Sequence, residues 1–150
     1  NGIDRAGFTV ATNPGETAGP IGRIASGGEL SRFMLAIKLS LATIGAQPSL
    51  VFDEVDSGIG GATAHAVGER LRRLADQLQV LVVTHSPQVA ARGADHLRVH
   101  KAMASGRVTT GVERLSSAER HEELARMLSG AEITEEARAA ARRLMEGHVP

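Results

Sequence analysis

The chain has 150 residues, one domain's worth, and 42% of them are apolar, so disorder is not the default. Its 17 basic residues balance 17 acidic ones, so bulk charge announces neither a nucleic-acid surface nor a membrane surface. It has no cysteine, which excludes disulfides and thiolate metal sites, and no apolar run approaches the ~18 residues of a transmembrane helix.

The chain starts at Asn1 with neither a methionine nor a charged-then-apolar leader, and the expectation is a cut inside a longer chain. Phe8, Val10 and Thr12 alternate with polar or small residues and predict a strand, which Asn13-Pro14-Gly15 turns. Thr17 to Ala25 reads as loop. Ser26-Gly27-Gly28-Glu29 then has the spacing of a capping box. The helix it opens carries Leu30, Phe33, Met34, Ile37, Leu41 and Ile44 on one apolar face, and Gly45 and Pro48 stop it. One reading is a capped core helix. Glycine lowers helix propensity by ~1 kcal/mol relative to alanine, so two in the first turn need a reason. Bare backbone there lets a phosphate reach the free N–H groups.

Leu50, Val51 and Phe52 predict a short strand buried on both faces. It ends in two adjacent carboxylates, Asp53 and Glu54. Open α/β sheets bind ligands at that end of their strands, although an acidic turn between strand and helix fits the same residues. Val55 to Gly61 is glycine-rich loop. Ala62 to Gln77 is helical, with Val67, Leu71, Leu74 and Leu78 on one face and Arg70, Arg72 and Arg73 as a solvated flank. Val80-Leu81-Val82-Val83 is a second continuous apolar run, ending in Thr84-His85. Two such strands joined by a helix form a βαβ unit, with both polar ends on one edge of a parallel sheet.

Ser86 to Arg92 predicts a short helix. Leu97 and Val99 begin a strand that Ser105-Gly106 turns into another, Arg107 to Leu115, as a hairpin. Ser116 to Leu128 is an amphipathic helix broken by Gly130. Thr134 can cap a last helix ending near Gly147. His121-Glu122 lacks the second histidine of a zinc-protease helix. His96 and His100 share a strand face with nothing nearby to complete a metal shell. No serine sits in a nucleophile elbow.

Together these segments resemble the C-terminal half of an ABC-type ATPase head, in its SMC-like branch. Ser26-Gly27-Gly28-Glu29 resembles the signature motif. Leu50-Val51-Phe52-Asp53-Glu54 resembles Walker B with its catalytic glutamate. Asp56 to Gly58 resembles the D-loop, without the usual S-A-L-D, and Thr84-His85 resembles the switch-histidine motif. Thr12-Asn13-Pro14-Gly15-Glu16, Pro87-Gln88-Val89-Ala90-Ala91 and Glu123-Leu124-Ala125-Arg126-Met127-Leu128 are similar to bacterial members that act in DNA repair. A phosphate loop needs a glycine followed by lysine. The two lysines, Lys38 and Lys101, follow isoleucine and histidine, so Walker A is absent from residues 1–150.

The resemblance implies an α/β fold: the C-terminal lobe of an ABC/SMC-type P-loop ATPase head, with a mostly parallel sheet flanked by helices, then a β-hairpin and helices. It implies ATP and Mg²⁺ as cofactors. Asp53 would hold the metal through water, and Glu54 would act as general base on the water attacking the γ-phosphate. His85 would contact that phosphate. Ser26, Gly27, Gly28 and Glu29, with Asp56, would serve nucleotide binding, the signature residues reaching ATP on a second head. The implied partners are the N-terminal half of the same protein, that second head in a homodimer, and DNA in the full-length protein, with no membrane. The implied place is the cytoplasm, at the bacterial nucleoid. Activity is expected only when a Walker A half completes the head. A structural DNA-bridging scaffold with marginal ATPase activity, or a head of another SMC/RecF-like ATPase, are the alternatives.

Overall fold

A computed structural model of the chain describes residues 2, 7–11, 15–21, 27–41, 49–104, 107–130 and 132–147. Near the start, β1 (Thr9–Val10) pairs antiparallel with β2 (Gly19–Pro20), with Thr9 opposite Pro20 and Val10 opposite Gly19. The second strand falls in a stretch that reads as loop from its glycine and proline. A proline is tolerated at a strand edge, where its missing N–H breaks no ladder. Thr12, Asn13 and Pro14 lie outside the described residues, and Gly15 sits at φ +89°. The Phe8 ring meets Phe33 edge-on, with centroids 6.0 Å apart, which attaches this small hairpin to the next helix.

That helix, α1, spans Gly27–Leu41. The expected cap, Ser26, and the expected stop, Gly45 and Pro48, lie outside the described residues, as does Ile44. Among the side chains described on α1, Leu35 is buried, Leu30 and Met34 are exposed and Phe33 and Ile37 are partly covered. The apolar face read from spacing is therefore only partly buried. Leu35 joins the core, while Leu30 and Met34 remain 43% and 41% exposed.

The central element is a parallel pair. β3 (Ser49–Asp53) and β4 (Gln79–Val83) run in register from Ser49 opposite Gln79 to Asp53 opposite Val83. They are joined by α2 (Gly61–Ala75), as the two apolar runs with an intervening helix require. Val67, Leu71 and Leu74 of α2 pack with Leu50, Phe52 and Val55 in one core cluster. The strands are not buried on both faces. Leu50 and Phe52 point into the core, but Val51 is 61% exposed and Leu81 and Val83 are about half exposed. Alternation follows from the pleat, whose successive side chains leave opposite sides. Helix α2 covers one side, and the other is open among the described residues. A parallel sheet is ordinarily covered on both faces.

Helix α3 (Pro87–Ala90) follows, with proline in its first turn. It lies so close to α2 that a Cβ on Gly68 would meet Val89 Cα at 3.3 Å. β5 (Leu97–Ala104) and β6 (Arg107–Arg114) form the expected antiparallel hairpin, with Val99 opposite Val112; its turn residues lie outside the described set. So among the described residues the sheets are one parallel and two antiparallel pairs, and the parallel part is narrower than a mostly parallel sheet.

The chain ends in two helices with their own core. α4 (Ser117–Ser129) is capped by Ser116, whose Oγ accepts from the Glu119 N–H while the Glu119 carboxylate accepts from the Ser116 N–H. Gly130, at φ +82°, ends it. Thr134 caps α5 (Glu135–Met145), accepting from the Ala137 N–H at 3.2 Å. Leu124, Ala125, Ala141 and Leu144 bury against Ala91. Two arginines tie this unit to the centre. Buried Arg92 donates to Glu69 on α2 and to the Leu144 carbonyl, and Arg120 donates to the carbonyls of Ala90, Ala91, Gly93 and Ala94. No helix among the described residues is long and apolar enough to cross a membrane.

Candidate functional site

The site is built at the C-terminal edge of the parallel pair. Asp53 is the last residue of β3, and the Glu54 N–H still donates to the Val83 carbonyl at 3.2 Å, one step beyond the strand. Glu54 adopts φ +50°, the left-handed region that a non-glycine residue rarely occupies. The chain then folds tightly. The Ser57 N–H donates back to the Glu54 carbonyl at 3.0 Å, and the Ile59 N–H to the Asp56 carbonyl at 3.2 Å. Both acidic side chains of the Asp53-Glu54 step are exposed at this edge.

β4 delivers Thr84 and His85 to the same edge, since Val83 is in register with Asp53. His85 is 77% exposed. Its neighbours are held firmly. Thr84 Oγ1 donates to Asp56 Oδ2 at 2.5 Å, and the Ser86 N–H donates to the same oxygen at 3.0 Å. The Ser86 N–H also lies 2.9 Å from Thr84 Oγ1, and Ser86 Oγ donates to Gln88 Oε1 at 2.9 Å. His85 Nδ1 is 4.0 Å from Asp56 Oδ2.

Asp53, Glu54 and His85 therefore do come to one edge, as the βαβ reading requires. Asp56, expected to bind nucleotide, is completely buried beneath that edge. Gly27, Gly28 and Glu29 form the first turn of α1, and Ser26 lies outside the described residues. Arg32 on α1 reaches the acidic loop, its Nη1 donating to the Ser57 carbonyl at 3.0 Å. Sequence reading missed Arg32 and Ser86 as supports, because a helix-face arginine and a serine before proline carry no special pattern. A cleft of about 350 Å³ between α1 and α2, walled by Arg32, Leu35, Thr63 and Arg70, contains none of the expected site residues.

Among the described residues no three acidic or histidine side chains gather as a protein-only metal cage. Mg²⁺ does not need one; it is commonly held by one or two carboxylates together with water and substrate phosphates. An exposed Asp53 at the strand end fits that donor chemistry.

A solved chain from work described as "Structural biochemistry of ATP-driven dimerization and DNA stimulated activation of SMC ATPases" superposes with a TM-score of 0.55, over 83% of this chain and 81% of that one. The identity is 19%, so the likeness is one of fold. The chain thus shares the fold of that solved chain, an α/β unit whose strand edge here carries the acidic step. No protein-family model matches the chain. Over 97% of its length it is 54% identical to the DNA repair protein RecN of Deinococcus radiodurans and 52% identical to that of Xylella fastidiosa strain 9a5c. It is 49% identical to RecN of Rickettsia bellii over 96% of its length. The chain belongs with the RecN proteins, and it spans about a quarter of the length of these relatives: 25%, 26% and 26%.

Proposed function

We propose that the chain supplies the hydrolytic edge of an SMC-like ATPase head acting in DNA double-strand break repair. The observation that carries this reading is the common edge of β3 and β4, where Asp53, Glu54 and His85 emerge together beside a sheet face left open. That face, with Val51, Leu81 and Val83, suits the half of a head that bears the phosphate loop. The chain contributes no Gly-Lys phosphate loop, so the N-terminal half of the same protein completes the head, and the chain by itself is inactive.

Within the completed head, Glu54 takes the proton from the water that attacks the γ-phosphate of ATP. His85 donates to an oxygen of that phosphate. Asp53 would hold Mg²⁺ through water, and the ion, when bound, neutralises phosphate charge. The first turn of α1, Gly27 to Glu29 with Ser26 before it, directs free N–H groups and the positive helix end at ATP on a second head. ATP thus joins two heads as a homodimer, and its hydrolysis separates them. DNA is the partner of the whole protein, and the bacterial nucleoid is its place of work.

Mixing the chain with a separately produced N-terminal half and measuring ATP hydrolysis tests this reading. Neither part alone should turn over ATP, and the mixture should. Hydrolysis by this chain alone, or tight micromolar binding of ATP to it, contradicts the division of labour.

A further inference from the structure

Among the described residues Asp56 is the one polar side chain at the edge that is wholly shielded from water, and its bonding is lopsided. Oδ2 accepts from both Thr84 Oγ1 and the Ser86 N–H, and Oδ1 is buried with no hydrogen-bond partner among the described residues. Burying a carboxyl group with one oxygen unserved is costly. Such a group in a folded protein calls for an explanation beyond packing.

Its position in the chain supplies one. Asp56 comes two residues after Glu54, and Val55 between them is fully buried. Thr84 and Ser86 are the two neighbours of His85. A single oxygen therefore holds the Thr84 hydroxyl and the Ser86 N–H, one on either side of His85, from a loop that begins at Glu54. The exposed Glu54 and the exposed His85 are each one or two residues from this buried junction.

We infer that Asp56 is a positioning residue, holding the Thr84–Ser86 turn so that His85 stands at a set distance from Glu54, and that it does not itself touch nucleotide. The inference rests on the ATPase reading of the edge. It assigns Asp56 a hydrogen-bonding role: an acceptor oxygen at this place matters, and a negative charge does not. An asparagine carbonyl can accept the same two bonds, whereas an alanine leaves two donors without an acceptor.

The test uses full-length protein, with steady-state ATPase kinetics. Asp56→Ala is expected to lower kcat at least tenfold with KM for ATP nearly unchanged, since misplacing a reacting group by ~1 Å can cost about 10²-fold. Asp56→Asn is expected to restore kcat to within about threefold of wild type, an acceptor oxygen being retained. If Asp56 acts through His85, then Asp56→Ala added to His85→Ala lowers kcat by no more than about twofold further, because residues acting as a unit are not additive. A full additional tenfold loss in that double variant overturns the inference, as does a rise in KM as large as the fall in kcat. Failure of Asp56→Asn to restore activity also overturns it. Should Asp56→Ala lose its cooperative thermal transition, Thr84→Val removes one of the two bonds and decides by the same cycle with His85→Ala. Glu54→Gln is measured alongside. If it turns over normally, the ATPase reading fails and this inference with it. If Glu54→Gln is inactive while the Asp56 and His85 effects add, the inference alone fails.

Discussion

Replacing Gly68 with alanine would set a methyl group 2.8 Å from Arg92 Cγ, 3.2 Å from the Gln88 carbonyl oxygen and 3.3 Å from Val89 Cα. In an isolated helix the same change stabilises by about 1 kcal/mol, because glycine is a poor helix former. Here α2 and α3 meet at this residue, and two of the three contacts are backbone. The third, Arg92, has little freedom: it is buried and tied to Glu69 and to the Leu144 carbonyl. Overpacking of a fixed site costs about 1–3 kcal/mol. With backbone on two sides the upper part of that range applies, and the net effect is a destabilisation of about 1–2 kcal/mol after the helix gain is subtracted. For a chain of this size that is a fall in Tm of about 2–8 °C. Thermal melting followed by circular dichroism, with urea unfolding at one temperature, measures it. A Tm raised by a few degrees would mean that propensity outweighs packing and that α2 and α3 are not held at this spacing.

Two other expectations follow from particular residues. Ser26→Arg in full-length protein should abolish ATP-dependent head dimerisation while leaving ATP binding to a single head nearly unchanged, since a cation opposes the helix dipole at the site of the facing nucleotide; calorimetry showing equal loss in the monomer contradicts this. Burial, with the Arg120 and Arg98 charges and against Glu123, holds the His96 imidazole below its ordinary value of 6.5. Above about pH 6.5 the neutral ring is common to folded and unfolded chains; as the pH falls the unfolded chain takes up a proton the folded chain resists, and stability declines. Hydrogen bonds from Arg138 and Arg126 hold Glu122 and Glu123 below the usual carboxylate range, so their contribution is lost only below about pH 4.3. Urea midpoints between about pH 7.5 and pH 5 should therefore fall for wild type and fall less for His96→Gln; equal slopes remove His96 as the cause.

The parts of the fold that were legible are those whose cause is local. Val67, Leu71 and Leu74 recur at helical spacing and are buried in α2. Gly130 and Thr134 act where capping chemistry puts them. The meeting of Asp53, Glu54 and His85 was legible too, because two apolar runs joined by a helix must pair in parallel. What stayed hidden depends on neighbours. An apolar run does not tell whether one face or two will be covered, so Val51, Leu81 and Val83 read as core and stand exposed. The same holds for Leu30 and Met34 on α1. The resemblance makes Asp56 a nucleotide-binding residue, yet it is buried, because the β4 turn folds over it. Gly68 carries no signal in the sequence, and the closeness of α3 is what requires it.

The central claim is that the adjacent carboxylates at the end of β3 divide the work of ATP hydrolysis. Its most direct test is steady-state ATPase activity and ATP-dependent dimerisation of Glu54→Gln and Asp53→Asn, with both halves of the head present. Glu54→Gln should keep ATP and Mg²⁺ binding, hydrolyse about 10²–10⁴-fold more slowly and accumulate as an ATP-bound dimer, because the amide keeps shape but cannot take a proton. Asp53→Asn should instead weaken nucleotide binding through the metal. Turnover by both variants within a few-fold of wild type would reduce the pair to an acidic turn and contradict the account.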